Sequence, residues 1–157
     1  MQIYYITMKQ AFLLVLVSFI TLGASAQSPV KWSYTATKLS PGLFEVHLTA
    51  SIQSGWHIYA QEQPSDAIAL PTAIQFSKNP LLLMEGNLKE VGHKEQYKDA
   101  DLGITAFQYE EKVDFVQQVK LKLKGKTNVS GSITYQACTN EKCLPPATTN
   151  FSISLEP

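Results

Sequence analysis

Apolar and polar residues alternate from Val30 onward. Val30, Trp32, Tyr34 and Ala36 stand between Lys31, Ser33, Thr35 and Thr37, and Ser40-Pro41-Gly42 supplies a turn. Phe44, Val46, Leu48, Ala50 and Ile52 then face one way, with Glu45, His47, Thr49, Ser51 and Gln53 on the other side, the pattern of a half-buried strand that ends at Ser54-Gly55. Trp56 to Tyr59 reads as a short aromatic strand, Ala60 to Pro71 as a polar loop with two prolines, and Thr72 to Ser77 as a further strand. Leu81 to Met84 is an apolar run between Pro80 and Gly86, which favours a strand over a helix.

The segment Gly92 to Asp101 is charged and nearly devoid of apolar residues, so it is expected on the surface as a loop. Beyond it come a strand from Ile104 to Tyr109 and a longer one in which Val113, Phe115, Val119, Leu121 and Leu123 share a face. Gly125-Lys126 turns the chain. Val129, Gly131, Ile133, Tyr135 and Ala137 alternate into Cys138, and Phe151, Ile153 and Leu155 close the domain. About eight short strands separated by turn signals, with no amphipathic helix, predict an all-β, immunoglobulin-like antiparallel β-sandwich.

The N-terminus does not belong to that pattern. Lys9, an apolar run from Ala11 to Gly23 and then Ala24-Ser25-Ala26 form the three parts of a secretory signal, with cleavage expected before Gln27. The run is too short for a membrane span of about 20 residues, so no span is expected after cleavage. Removing 26 of the 157 residues leaves 131, enough for one domain, 27–157, with its own core. Basic and acidic residues number 13 each, and every basic one is a lysine. Lys120, Lys122, Lys124 and Lys126 alternate along what reads as a solvated strand face, so nothing suggests nucleic acid.

Export alters the meaning of the two cysteines, Cys138 and Cys143, because an oxidising compartment lets them pair. Four residues lie between them, and a loop that short removes little unfolded-state entropy when it closes. Such a bond is a poor staple and a better reversible couple, provided the thiols can be reached. Leu144-Pro145-Pro146 stiffens one end of the loop and the preceding strand holds the other. Lys142 favours a thiolate at Cys143 and Glu141 opposes it, so the sequence alone does not set its acidity. His47, His57 and His93 are scattered and lack finger-like spacing to the cysteines, so no metal or other cofactor is expected. His47, on the polar face of its strand, reads as solvated. His57 lies on the face opposite Trp56 and Ile58, where it either lines a site or is simply an exposed strand residue.

Tyr135-Gln136-Ala137-Cys138 followed by Cys143-Leu144-Pro145-Pro146 resembles the N-terminal periplasmic domain of the bacterial thiol:disulfide interchange protein DsbD. Gly55-Trp56-His57-Ile58-Tyr59 is similar to an aromatic strand that packs near the redox pair in that family, and Glu95-Gln96-Tyr97 falls at the place of its cysteine-shielding cap. The resemblance implies that Cys138 and Cys143 form a redox couple in a periplasmic domain. It further implies a membrane-embedded thiol-disulfide reductase as donor and periplasmic thioredoxin-like proteins as acceptors. Cys138 is the expected site of the mixed disulfide. Tyr59 matches a flanking aromatic, whereas His57 stands where the best-known members have Tyr. Those members also have five residues between the cysteines and an aromatic at the cap tip, where Gln96 stands here beside Tyr97. The chain stops at Pro157, so electrons are expected from a separate polypeptide. The competing reading is a secreted sandwich for binding or assembly whose disulfide is purely structural.

Overall fold

The computed structural model describes residues 28–65, 67–99 and 103–156. The signal-peptide reading falls on residues outside these. Nine strands follow in order: β1 (Val30–Ser40), β2 (Leu43–Ile52), β3 (His57–Tyr59), β4 (Ala73–Phe76), β5 (Leu82–Asp99), β6 (Ile104–Leu121), β7 (Thr127–Tyr135), β8 (Ala137–Cys138) and β9 (Ala147–Leu155). They form a six-stranded sheet in the order β1-β2-β6-β3-β8, with β5 also on β6, and a three-stranded sheet in the order β4-β7-β9. The pairings are antiparallel, in agreement with the alternation of the sequence.

The alternation in β2 is realised residue by residue. Phe44, Val46, Leu48, Ala50 and Ile52 are buried, and they meet Phe115, Val119 and Val113 of β6 across the sheet and Val129, Ile133, Phe151, Ile153 and Leu155 of the second sheet in one core. Trp32 packs its ring 5.9 Å from Phe115 and 5.4 Å from Tyr135, so β1 closes the sandwich against β7 with an aromatic edge.

The expected loop from Gly92 to Asp101 is instead strand as far as Asp99. Lys94 to Asp99 pair in register with Tyr109 to Ile104, the reverse stretch of β6. Its surface position was legible because polar residues dominate both faces. Its strand character was not, because no buried face imposes alternation. The two strands expected at Ile104–Tyr109 and from Val113 onward are one continuous strand with an irregularity, where Glu111 has φ 58°. Here the β5 register shifts between Gly92 and Lys94. Gly92 lies so near β6 that a Cβ would come within 2.9 Å of the Lys112 carbonyl oxygen, which explains a glycine at the shift. Below the irregularity β6 pairs with β2; above it, Gln108 to Glu110 pair with β3. The strand ends at Leu121, and Leu123, expected on the inward face, is exposed.

Candidate functional site

The loop between the cysteines is built from its own hydrogen bonds. Thr139 N–H donates to the Lys142 carbonyl at 2.7 Å, and Leu144 N–H to the Ala137 carbonyl at 2.9 Å, so the chain doubles back on itself across the pair. The Thr139 hydroxyl oxygen accepts from the N–H groups of Glu141 at 3.2 Å and Lys142 at 3.1 Å, a side-chain turn that Thr is suited to form. Gln136 Nε2 donates to the Leu144 carbonyl at 3.0 Å and fastens the outgoing strand. Cys138 and Cys143 face each other as an isolated bridge and are disulfide-bonded.

The two cysteines differ in environment. Cys138, on β8 at the end of the six-stranded sheet, is fully buried, whereas Cys143 is exposed. Cys143 is therefore the solvent-exposed residue of the pair, while Cys138, expected from the resemblance as the site of the mixed disulfide, is enclosed. A strand position buries its side chain against its neighbours; a residue after a surface turn does not.

Register gathers the remaining site residues on one face of the sheet. His57 pairs with Cys138, Tyr59 with Gln108, Gln108 with Glu95, and Ala106 with Tyr97, so four strands contribute side chains in a row. Of these, His57, Tyr59, Tyr97, Ala106 and Gln108 line a cleft of about 460 Å³ together with Cys143, with Ile68 from the loop after β3 at its rim. His57 is buried, with its ring 5.3 Å from that of Tyr59. Burial holds its imidazole below the ordinary value, and the Glu95 carboxylate opposes this. Burial likewise raises the Tyr59 phenol, helped by Tyr97.

Of the cap residues, Tyr97 lines the cleft and is 40% exposed, while Gln96 lies on the other face of β5 and is exposed outside it. The segment expected as a cap is the end of β5. Earlier on the same strand, the Glu90 carboxylate accepts from Tyr109 Oη at 2.9 Å, Lys94 Nζ at 2.8 Å and the Gln61 N–H at 2.7 Å, tying β5 to β6 and to the loop after β3. Truncating Tyr97 to alanine is expected to speed reaction of the disulfide with a small thiol several-fold. Stopped-flow reduction by dithiothreitol would check this, and an unchanged rate would deny Tyr97 a shielding role.

The other histidines lie elsewhere. His47 is not free in solvent as expected: its Nδ1 is 2.7 Å from Asp114 Oδ2, and Thr49 Oγ1 donates to Oδ1 of the same carboxylate at 2.9 Å. His93 is exposed, its Nε2 3.8 Å from Glu95 Oε1. Sequence reasoning missed Gln108, which is buried with an Oε1 that has no hydrogen-bond partner among the described residues. The signal was the alternation of polar Gln108 and Glu110 with apolar Phe107 and Tyr109 along one strand. It also missed Trp56, whose ring centroid lies 6.0 Å from Lys142 Nζ, holding that cation beside the cysteine loop.

Three comparisons bear on this geometry. The family model described as thiol:disulfide interchange protein DsbD, N-terminal, matches residues 27–155. A search of curated protein sequences finds no match. Among solved structures, the N-terminal periplasmic domain of ScsB from Proteus mirabilis is similar at a TM-score of 0.56 and 20% identity, over 86% of this chain and 49% of that one, so the chain spans about half of that relative. The DsbD N-terminal domain of Neisseria meningitidis in its reduced form gives a TM-score of 0.55 and 18% identity, over 86% of this chain and 95% of that one. The same organism's DsbD N-terminal domain in complex with the PilB N-terminal domain gives 0.50 and 16%, over 84% and 87%. These structures share the fold, and the family match spans nearly the whole described chain. The chain therefore belongs to the family of DsbD N-terminal thiol:disulfide interchange domains.

Proposed function

We propose that this domain relays electrons in the periplasm through Cys138 and Cys143, from a membrane-embedded thiol-disulfide reductase to oxidised thioredoxin-like proteins. The observation that carries the reading is the pairing of an exposed Cys143 with a buried Cys138 in a loop that its own hydrogen bonds hold in place. A structural staple has no use for such asymmetry. A loop braced by Thr139 and Gln136 needs no covalent clamp, and closing one this short adds only about 2 kcal/mol in the chain-entropy model.

In the reduced domain, the Cys143 thiolate attacks one sulfur of an acceptor's disulfide. A Cys143–acceptor bond forms and the acceptor's second sulfur leaves as a thiolate. Cys138 then attacks Cys143 Sγ, re-forming the internal disulfide and releasing the acceptor's first sulfur with the electron pair. The acceptor gains two electrons and the domain loses two. Recharging by the donor reverses these steps.

The Neisseria structure in which a DsbD N-terminal domain is in complex with a PilB N-terminal domain supports a protein partner for a domain of this fold, and the cleft beside Cys143 is where we place it. The exposed Ile68 and Tyr97 at the cleft rim offer it apolar contacts, and the unpartnered Gln108 Oε1 offers an acceptor for a donor group of the partner. The test is to mix the reduced domain with an oxidised thioredoxin-like protein and follow the redox state of both by alkylation and mass. Stoichiometric transfer is expected; no transfer to any of several such proteins would overturn the reading.

A further inference from the structure

The relay just described leaves a proton unaccounted for. Cys138 must lose one before its sulfur can attack Cys143, yet it is fully buried, where a thiol resists ionisation and water cannot collect the proton. Cys138 lies in register between two neighbours: Cys143 on one side and His57 on the other. Directly opposed residues of an antiparallel pair have Cβ atoms about 4.5–5.5 Å apart and side chains on the same face, within reach of an imidazole.

We infer that His57 is the proton acceptor for Cys138, taking its thiol proton as the mixed disulfide is resolved and returning it when the donor opens the pair. This rests on the relay reading above. The ring is buried beside the thiol and opens on the same cleft as Cys143, which gives the proton a way out to solvent. Its environment suits the task. Desolvation keeps the imidazole neutral, and so free to accept a proton, while Glu95 stabilises the cation once formed. The other charged or titratable groups around it are Tyr59 on its own strand, Glu110 opposite it on β6, Tyr97 on β5, and Glu141 and Lys142 in the cysteine loop. Of these only His57 is the register partner of Cys138.

The step balances. Cys138 Sγ–H gives its proton to a ring nitrogen of His57 as its electron pair attacks Cys143 Sγ. The Cys138–Cys143 bond forms, the Cys143–partner bond breaks, and the partner sulfur leaves with that electron pair. The imidazolium then loses its proton to water in the cleft.

The test uses the reduced domain and dithiobis-nitrobenzoate, an aromatic disulfide whose released thiolate is coloured. The first release reports attack by Cys143 and the second reports resolution by Cys138. His57→Phe is expected to slow the second release at least about tenfold relative to the first release measured in the same trace. His57→Tyr keeps a polar-tipped aromatic ring at the position and serves as a second variant. Its second release should also be slow at neutral pH and accelerate only toward the ordinary phenol pKa of about 10. The wild-type second release should show an acid-side inflection displaced below that of an ordinary imidazole, because burial disfavours the charged ring, and this inflection should be absent from both variants. A second release as fast in both variants as in the wild type would overturn the inference and leave the relay standing. Absence of the first release in the wild type would overturn the relay reading beneath it.

Discussion

Replacing Cys143 with serine is expected to abolish thiol-disulfide exchange with a partner protein, whereas Cys138→Ser should react once and stop, accumulating a mixed disulfide through Cys143. The expectation follows from burial. An incoming sulfur must approach in line with the bond it breaks, and the exposed residue of the pair is Cys143, while Cys138 is enclosed by the sheet. With Cys138 gone, no second thiol remains to release the partner, since these are the only cysteines in the sequence. With Cys143 gone, the remaining thiol has no path to a partner. Both variants should fold, because Thr139, Gln136 and the Ala137–Leu144 hydrogen bond hold the loop without the disulfide. Non-reducing gel analysis after incubation with an oxidised thioredoxin-like protein reads the result. Trapping through Cys138 alone would contradict the assignment.

Gly131→Val is expected to destabilise the fold by about 3 kcal/mol, the upper end of overpacking in a filled core. Gly131 pairs with Phe76 on β4 and with Phe151 on β9, at the middle strand of the three-stranded sheet. A Cβ there would stand 2.6 Å from Phe151 Cζ and closer still to the Gln75 carbonyl oxygen. The ring of Phe151 could turn only by losing its contacts with Phe76, 5.6 Å away between centroids, and Tyr34 at 5.7 Å. The carbonyl belongs to the strand pairing and cannot withdraw without opening β4. Chemical denaturation monitored by tryptophan fluorescence measures the loss; a midpoint unchanged from the wild type would mean that the sheet has room the geometry denies. The exchange chemistry of the folded fraction should be unaffected, since Gly131 lies on the other sheet from the cysteines.

The sequence was most informative where burial imposes a period. In β2 and β9 one face meets the core and the other water, so alternation exposed both the element and its orientation. It failed where both faces are polar. Residues Gly92 to Asp99 look like a loop because no apolar stripe marks their strand, although backbone pairing with β6 is regular from Lys94 on. It failed again at Glu111, where a left-handed residue bends one strand that had read as two.

At the site, the cysteine spacing and its flanking residues identified the chemistry, and the family match agrees with the resemblance they carried. The accessibility of each sulfur was not legible, since it depends on which residue ends a buried strand and which follows an exposed turn. Nor was the row from Glu95 through Gln108 and Tyr59, or the placement of His57 beside Cys138. Those juxtapositions arise from the register of four strands distant in sequence.

The most direct test is the reduction potential of the Cys138–Cys143 pair, determined by equilibrating the domain with glutathione or thioredoxin buffers of known poise. A relay must be both reducible and re-oxidisable by thioredoxin-like couples, which places its potential between about −180 and −270 mV. A value well below about −300 mV, typical of inert structural disulfides, would show that the bond is a staple and contradict the relay.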